Sequence, residues 1–299
     1  MRYSIDHQTS YQYASDVLHS HHLLHLMPRP SGWQECLESS ISIEPGQHRR
    51  VDQFDAFGNP VTRIELAQPH RELSVHSRML IDVYPHAIVP MDNTPPWEQV
   101  RNACIYNGTE PDRDVLDACR FRHESQHVHL KHLFSLYGEE CFTAGRPILA
   151  CASALCDQLF ADLTYAPGET TISTSVTEVL ERKRGVCQDF AHLMIACLRS
   201  RGLAARYVSG YLRTISPSDA PDLALVGGGA THAWVAVWCP PFGWVEFDPT
   251  NGGFVGTDHI ALAWGRDFAD VSPLRGVILG GAAHELVVKV HVAAETRAD

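Results

Sequence analysis

The chain has 299 residues, enough for one large domain or about two of ordinary size. Hydrophobic residues make up 44% and charged residues 20%, which excludes long-range disorder and lets a core form without disulfide staples. The balance of 24 Lys+Arg against 35 Asp+Glu gives −11, so the surface repels phosphate backbones and anionic headgroups; neither nucleic acid nor membrane is expected as a partner.

Residues 1–90 are predicted as a β-rich first domain. Arg2–Tyr13 is rich in Tyr, Thr and Ile and partly alternates. Leu37–Ile43 and Val61–Leu66 are short β-prone runs, and Glu72–Tyr84 is a further strand. Asp55-Ala-Phe-Gly58-Asn59 carries hairpin turn chemistry. Short strands between turns predict a small antiparallel sandwich. Pro85, Pro90, Pro95 and Pro96 mark a linker.

Residues 91–299 are predicted as the second domain. Pro147–Asp162 has apolar positions at helical spacing. Ser175–Lys183 reads as a helix ended by Gly185, and Cys187–Arg201 as an apolar helix stopped by Gly202. Phe190, Met194, Ile195 and Leu198 are its expected buried stripe. Strands follow at Ala205–Leu212, His232–Trp238 and Trp244–Asp248. Leu286–Val292 is a late strand that the pattern assigns to neither domain. The Pro- and Gly-bearing segment Thr214–Ala230 reads as a loop that gates the site.

Nine cysteines (36, 104, 119, 141, 151, 156, 187, 197 and 239) include no C-x-x-C pair, which argues against a structural zinc site. MRYSIDHQTSYQY has no apolar signal-peptide region, and the uncharged run Leu223–Val245 is broken by Gly and Pro. A cytoplasmic protein with free thiols is expected.

One thiol stands apart. Cys187 follows Gly185 and opens a helix, where unpaired backbone N–H groups and the helix dipole favour a thiolate. His232 heads an alternating strand and is suited to receive the thiol proton and return it to a leaving group. Asp248 ends the partner strand of a hairpin turned at Pro240–Gly243, which brings it beside His232 to fix the imidazole tautomer.

The runs GVCQDFAHL, RYVSGY, THAWV and GWVEFDPTNG together resemble the transglutaminase-like superfamily. They are most similar to its bacterial proteins of the cysteine-protease type. MRYSIDHQTSYQY and DAFGNPV resemble the N-terminal domain of that group. The resemblance implies an α+β fold, with a papain-like, transglutaminase-like core and an N-terminal antiparallel β-sandwich-like domain. It also implies Cys187, His232 and Asp248 as a catalytic triad that acts on peptide or protein amides through a thioester. The superfamily includes cross-linking enzymes, peptidases, amidases and non-catalytic relatives, so the alternative is a protein-binding module that keeps the fold. No calcium loop is evident, and no cofactor or metal is expected. The Cys187 backbone N–H, with Tyr165 or Gln188, is a candidate oxyanion donor.

Other residues have blander readings. His123-Glu-Ser-Gln-His127 matches the H-E-x-x-H zinc pattern, but Arg120, Arg122, His129, Lys131 and His132 surround it, not an apolar helix. His192 is expected to be a buried hydrogen-bonding residue, Asp189 to favour the helix dipole, and Cys197 to be core. Trp234 and Trp244 read as sheet packing. His19, His21, His22 and His25 are metal-like in number, with His19, His21 and His25 on one face by alternation, and an exposed strand or tag-like surface is the expected account.

Overall fold

The computed structural model describes residues 1–87, 89–105, 112–213 and 230–295. The gating loop read over Thr214–Ala230 lies outside them, except for Ala230. Five strands come first: β1 (Arg2–Leu24), β2 (Gln34–Glu44), β3 (Arg49–Phe54), β4 (Pro60–Leu66) and β5 (His70–Val83). β1 is far longer than its alternating Arg2–Tyr13 half suggests. It continues through register shifts between Gln12 and Val17 and between Val17 and His19, where bulges bend it toward new partners. The β3–β4 hairpin turns on Asp55, whose Oδ1 accepts from Phe57 N and Asn59 N, both at 2.8 Å.

Three short helices follow that the sequence reading did not predict: α1 (Trp97–Ala103), α2 (Arg113–Cys119) and α3 (His132–Tyr137). Each is too short to show a clear period, and α1 starts directly after the prolines read as linker. Proline preceding a first turn is compatible with a helix start.

α4 (Ile148–Asp162) runs into β6 (Thr164–Tyr165). α5 (Val176–Arg182) is capped by Ser175, whose Oγ accepts from Glu178 N at 3.2 Å. It ends on Lys183 in the left-handed region, φ 54°, not on Gly185. The glycine is required elsewhere: it lies in β7 (Arg184–Gly185), parallel to β6. A Cβ there would sit 2.6 Å from Asp189 Oδ2.

α6 (Cys187–Ser200) is buried around nearly its whole circumference, not along one stripe. It packs against α3, α4, α5 and two strands, β8 (Ala205–Leu212) and β9 (Thr231–Cys239). With β10 (Gly243–Phe247) and β11 (His259–Gly265) these make a four-stranded antiparallel sheet, order β10-β9-β8-β11. Every residue of β8 is buried, because α6 covers one face while Val208, Trp234 and Ala236 form a second cluster on the other.

After α7 (Phe268–Val271) the chain returns to the first sheet. β12 (Leu274–Gly280) pairs with the second half of β1, and β13 (His284–Glu295) pairs with the first half, from Tyr13↔His284 to Arg2↔Glu295. The late strand Leu286–Val292 thus belongs to the sheet built by residues 2–83. One core joins Tyr3, Ile5, Met79 and Ile81 of that sheet to α4 and α6. Among the described residues, no helix is long and apolar enough to cross a membrane.

Candidate active site

Cys187 is the first residue of α6 and is 9% exposed. The preceding turn is fastened by Asp189, whose Oδ2 accepts from Val186 N at 2.8 Å and Thr170 Oγ1 at 2.7 Å. Burial pushes the Asp189 carboxyl up, against the pull of those two bonds. Tyr165 of β6 lies close enough to sense the Cys187 charge; burial, then that charge, pushes its phenol up.

The β9–β10 register pairs Phe247 with Val235. One step further on, Asp248 falls beside Trp234 and diagonal to His232 on the same face, within reach of a side-chain contact. His232 Nε2 and Asp248 Oδ2 are 2.8 Å apart and both residues are 1% exposed. With Nε2 taken by the carboxylate, the buried Nδ1, which has no hydrogen-bond partner among the described residues, is the nitrogen that can face the Cys187 thiol. Burial alone would lower the His232 imidazole. The charge and hydrogen bond of Asp248, and those of Cys187, raise it to about 10. Burial would raise Asp248, but His232 and His259 hold its carboxyl well below the usual range. The structure therefore brings together the three residues singled out by sequence.

The sequence reading missed His259. Its Nε2 lies 3.0 Å from Asp248 Oδ2. Asn251 Nδ2 donates to the same oxygen at 2.8 Å, and Thr250 N donates to Oδ1 at 2.9 Å. The available signal was a histidine opening the strand after the Asp248 loop, which by itself reads as a core histidine. Also missed was Glu246, buried next to the site, whose Oε2 accepts from Trp234 Nε1 at 2.8 Å. Beyond it lies a cavity of about 690 Å³, bordered by Trp33, His86, Trp244, Glu246, Phe254 and Gly256.

His232, Asp248 and His259 are spaced closely enough to hold a metal ion, yet hydrogen bonding to one carboxylate oxygen accounts for their convergence. His19 Nε2 and His21 Nε2 lie 2.9 Å apart, with Glu65 Oε1 3.6 Å from His19. This more exposed set also has ligand spacing. His25 does not join it: it is buried, its Nδ1 3.1 Å from the Ser272 carbonyl and its Nε2 3.4 Å from Asp55 Oδ2. β1 ends at Leu24, so the alternation on which the common face rested does not reach His25; His22, on the opposite face of β1, is buried as well. His123 and His127 lie outside any helix, so they do not present the shared helix face of a zinc peptidase. His127 instead stacks on His192 at 5.4 Å, and His192 Nε2 accepts from Phe268 N at 3.2 Å.

The family model for the transglutaminase-like superfamily matches residues 137–249, and that for the bacterial transglutaminase-like N-terminal region matches residues 3–82. An uncharacterised protein of Mycobacterium tuberculosis is 37% identical over 293 residues, covering 96% of this chain and 90% of its own. The crystal structure of a "putative cysteine protease" from Cytophaga hutchinsonii superposes with a TM-score of 0.74 at 20% identity, over 98% of this chain and 90% of that one. A protein-glutamine gamma-glutamyltransferase of Pseudomonas aeruginosa is 37% identical over 72 residues, 24% of this chain and 11% of that protein.

Proposed function

The chain belongs to the transglutaminase-like superfamily, and from that premise we propose that it is a thiol enzyme transferring acyl groups from peptide or protein amides. The observation that carries this reading is the buried His232–Asp248 contact of 2.8 Å, with Cys187 at the head of α6 as the partner of the same imidazole.

In this reading His232 takes the Cys187 proton as the sulfur attacks the amide carbon. The carbonyl becomes an oxyanion, held by the Cys187 backbone N–H at the helix start and by Tyr165 or Gln188. His232 then gives the proton to the departing nitrogen, the C–N bond breaks and a thioester remains. Water or an amine attacks the thioester, His232 accepts its proton, and the thiolate leaves. Asp248 holds the imidazole in one tautomer and stabilises the imidazolium. Water gives hydrolysis and an amine gives transamidation; the same three side chains serve both.

Limiting iodoacetamide at mildly acidic pH, followed by peptide mass mapping, tests the nucleophile. Burial raises Cys104, Cys151, Cys156 and Cys239 to about 12 and pushes Cys36, Cys141 and Cys197 upward. Cys187, at the helix start and beside His232, should be labelled ahead of these seven and of Cys119, and His232→Ala should abolish that preference. Even labelling of all thiols, unaffected by the substitution, would overturn the reading. Casein incubated with and without a fluorescent amine then separates the outcomes: incorporated amine means transamidation, and fragments alone mean hydrolysis.

A further inference from the structure

Asp248 holds two histidines, only one of which has a part in the chemistry above. We propose that His259 is a positioning residue: its Nε2–H pins the Asp248 carboxylate in the orientation that aims His232 at Cys187. The inference rests on the triad reading and adds to it a residue that acts through Asp248.

The tautomer follows from the contacts. His259 Nδ1 accepts from Gly256 N at 3.4 Å, so the ring hydrogen sits on Nε2 and is donated to Asp248 Oδ2 at 3.0 Å. The ring cannot easily turn away. It stands edge-on to Trp234, centroids 5.3 Å apart at 78°, and its backbone is paired with Leu212 of β8. On the carboxylate, backbone N–H groups of Thr250 and Asn251 hold Oδ1, at 2.9 and 3.4 Å. Oδ2 receives Asn251 Nδ2 from one side and the two histidines from the others. With both oxygens held, the carboxylate has one orientation. At 1% exposure no bulk water stands by to replace a lost donor.

The test compares His259→Phe, which keeps the ring volume and removes the donor, with His259→Gln, whose amide N–H can reach the same oxygen. The readouts are the rate of iodoacetamide labelling at Cys187 and kcat and KM on an amide substrate. His259→Phe should lower the labelling rate and kcat by about ten- to a hundredfold with KM little changed, the signature of a misaligned group. His259→Gln should recover most of the loss. Wild-type rates in His259→Phe, or equal impairment in two variants that both fold by circular dichroism, would overturn the proposal. If wild-type Cys187 is itself no more reactive than the other thiols, the triad reading fails and this one falls with it. If wild-type Cys187 is reactive and His259→Phe matches it, only the role of His259 is lost.

Discussion

The two sheets treat charge in opposite ways. On the seven-stranded sheet, apart from Arg2 with the buried Asp82, ion pairs stand largely in water, as with Arg71–Asp16 at 2.6 Å, side chains 63% and 53% exposed, and Arg78–Asp6 at 3.3 Å, with 68% and 52%. In the four-stranded sheet Arg206, His232, Glu246 and His259, with Asp248 just past β10, are all buried. Arg206 lies between two indoles, 3.6 Å from the Trp264 centroid and 4.3 Å from that of Trp244. Solvent can replace a partner lost by the exposed pairs of the first sheet; in the second, a buried polar group that loses its neighbour has no water to turn to.

The outer sheet also supplies some of those neighbours. Gln34 at the head of β2 closes on the edge of β11, Nε2 to the Ala261 carbonyl at 2.7 Å and Ala261 N to Oε1 at 2.9 Å. Asn59 does the same for Trp264, at 2.9 and 3.0 Å. Two side-chain amides thus imitate a missing strand on either side of the bulge between Ala261 and Ala263. The strand they brace is the one that presents His259.

The sharpest separation of the two sheets comes from Asp248→Asn, which should lower turnover by roughly 10³–10⁴-fold. It should also change the pH dependence of stability. The native Asp248 carboxyl is depressed, so its contribution is present above about pH 4 and is lost as acid protonates it. His232 is raised to about 10; its contribution is complete below about pH 6.5 and is lost as pH climbs toward 10. Urea midpoints of the wild type should fall away on both sides of that window, and Asp248→Asn should flatten both slopes. Coincident profiles would show that the buried pair carries no more than a surface pair does.

A smaller effect is expected from Gln34→Ala, which strands the buried N–H and C=O of Ala261. The loss should be about 2–5 kcal/mol, read from urea unfolding. A loss under about 0.5 kcal/mol would mean that the first sheet does not brace the second. The smallest effect belongs to Asp16→Ala on the outer sheet, which should change stability by under about 1 kcal/mol. A larger change would place that pair in the same class as His232–Asp248.

What could be read in the sequence tracks how local its cause is. The helix over 187–200, the strands over 205–212 and 231–247, and the prominence of Cys187, His232 and Asp248 all follow from short runs whose chemistry is self-contained. Gln34 and Asn59 could not be recognised, because their partners lie 227 and 205 residues away. His259 was hidden for the same kind of reason: its donor role exists only once β11 is beside β10's outgoing loop. The all-round burial of α6 was masked by Arg199, which looks like a solvent residue. Its guanidinium is buried and donates to the carbonyls of Ala205 and Arg266. Alternation identified the strand at 286–292 but carried no information about its partner.

That partner is β1, and the pairing orders the assembly of the molecule in time. β1 is hydrogen-bonded, from Tyr13↔His284 to Arg2↔Glu295, to a strand that leaves the ribosome long after it. Until His284–Glu295 is synthesised, that edge of β1 has no partner, although Tyr3 and Ile5 on it already belong to the core shared with α6. Contacts of such long sequence separation close slowly. That edge of β1 therefore stays open until β13 is made, and the core shared with α6, the helix that carries Cys187, is complete only then.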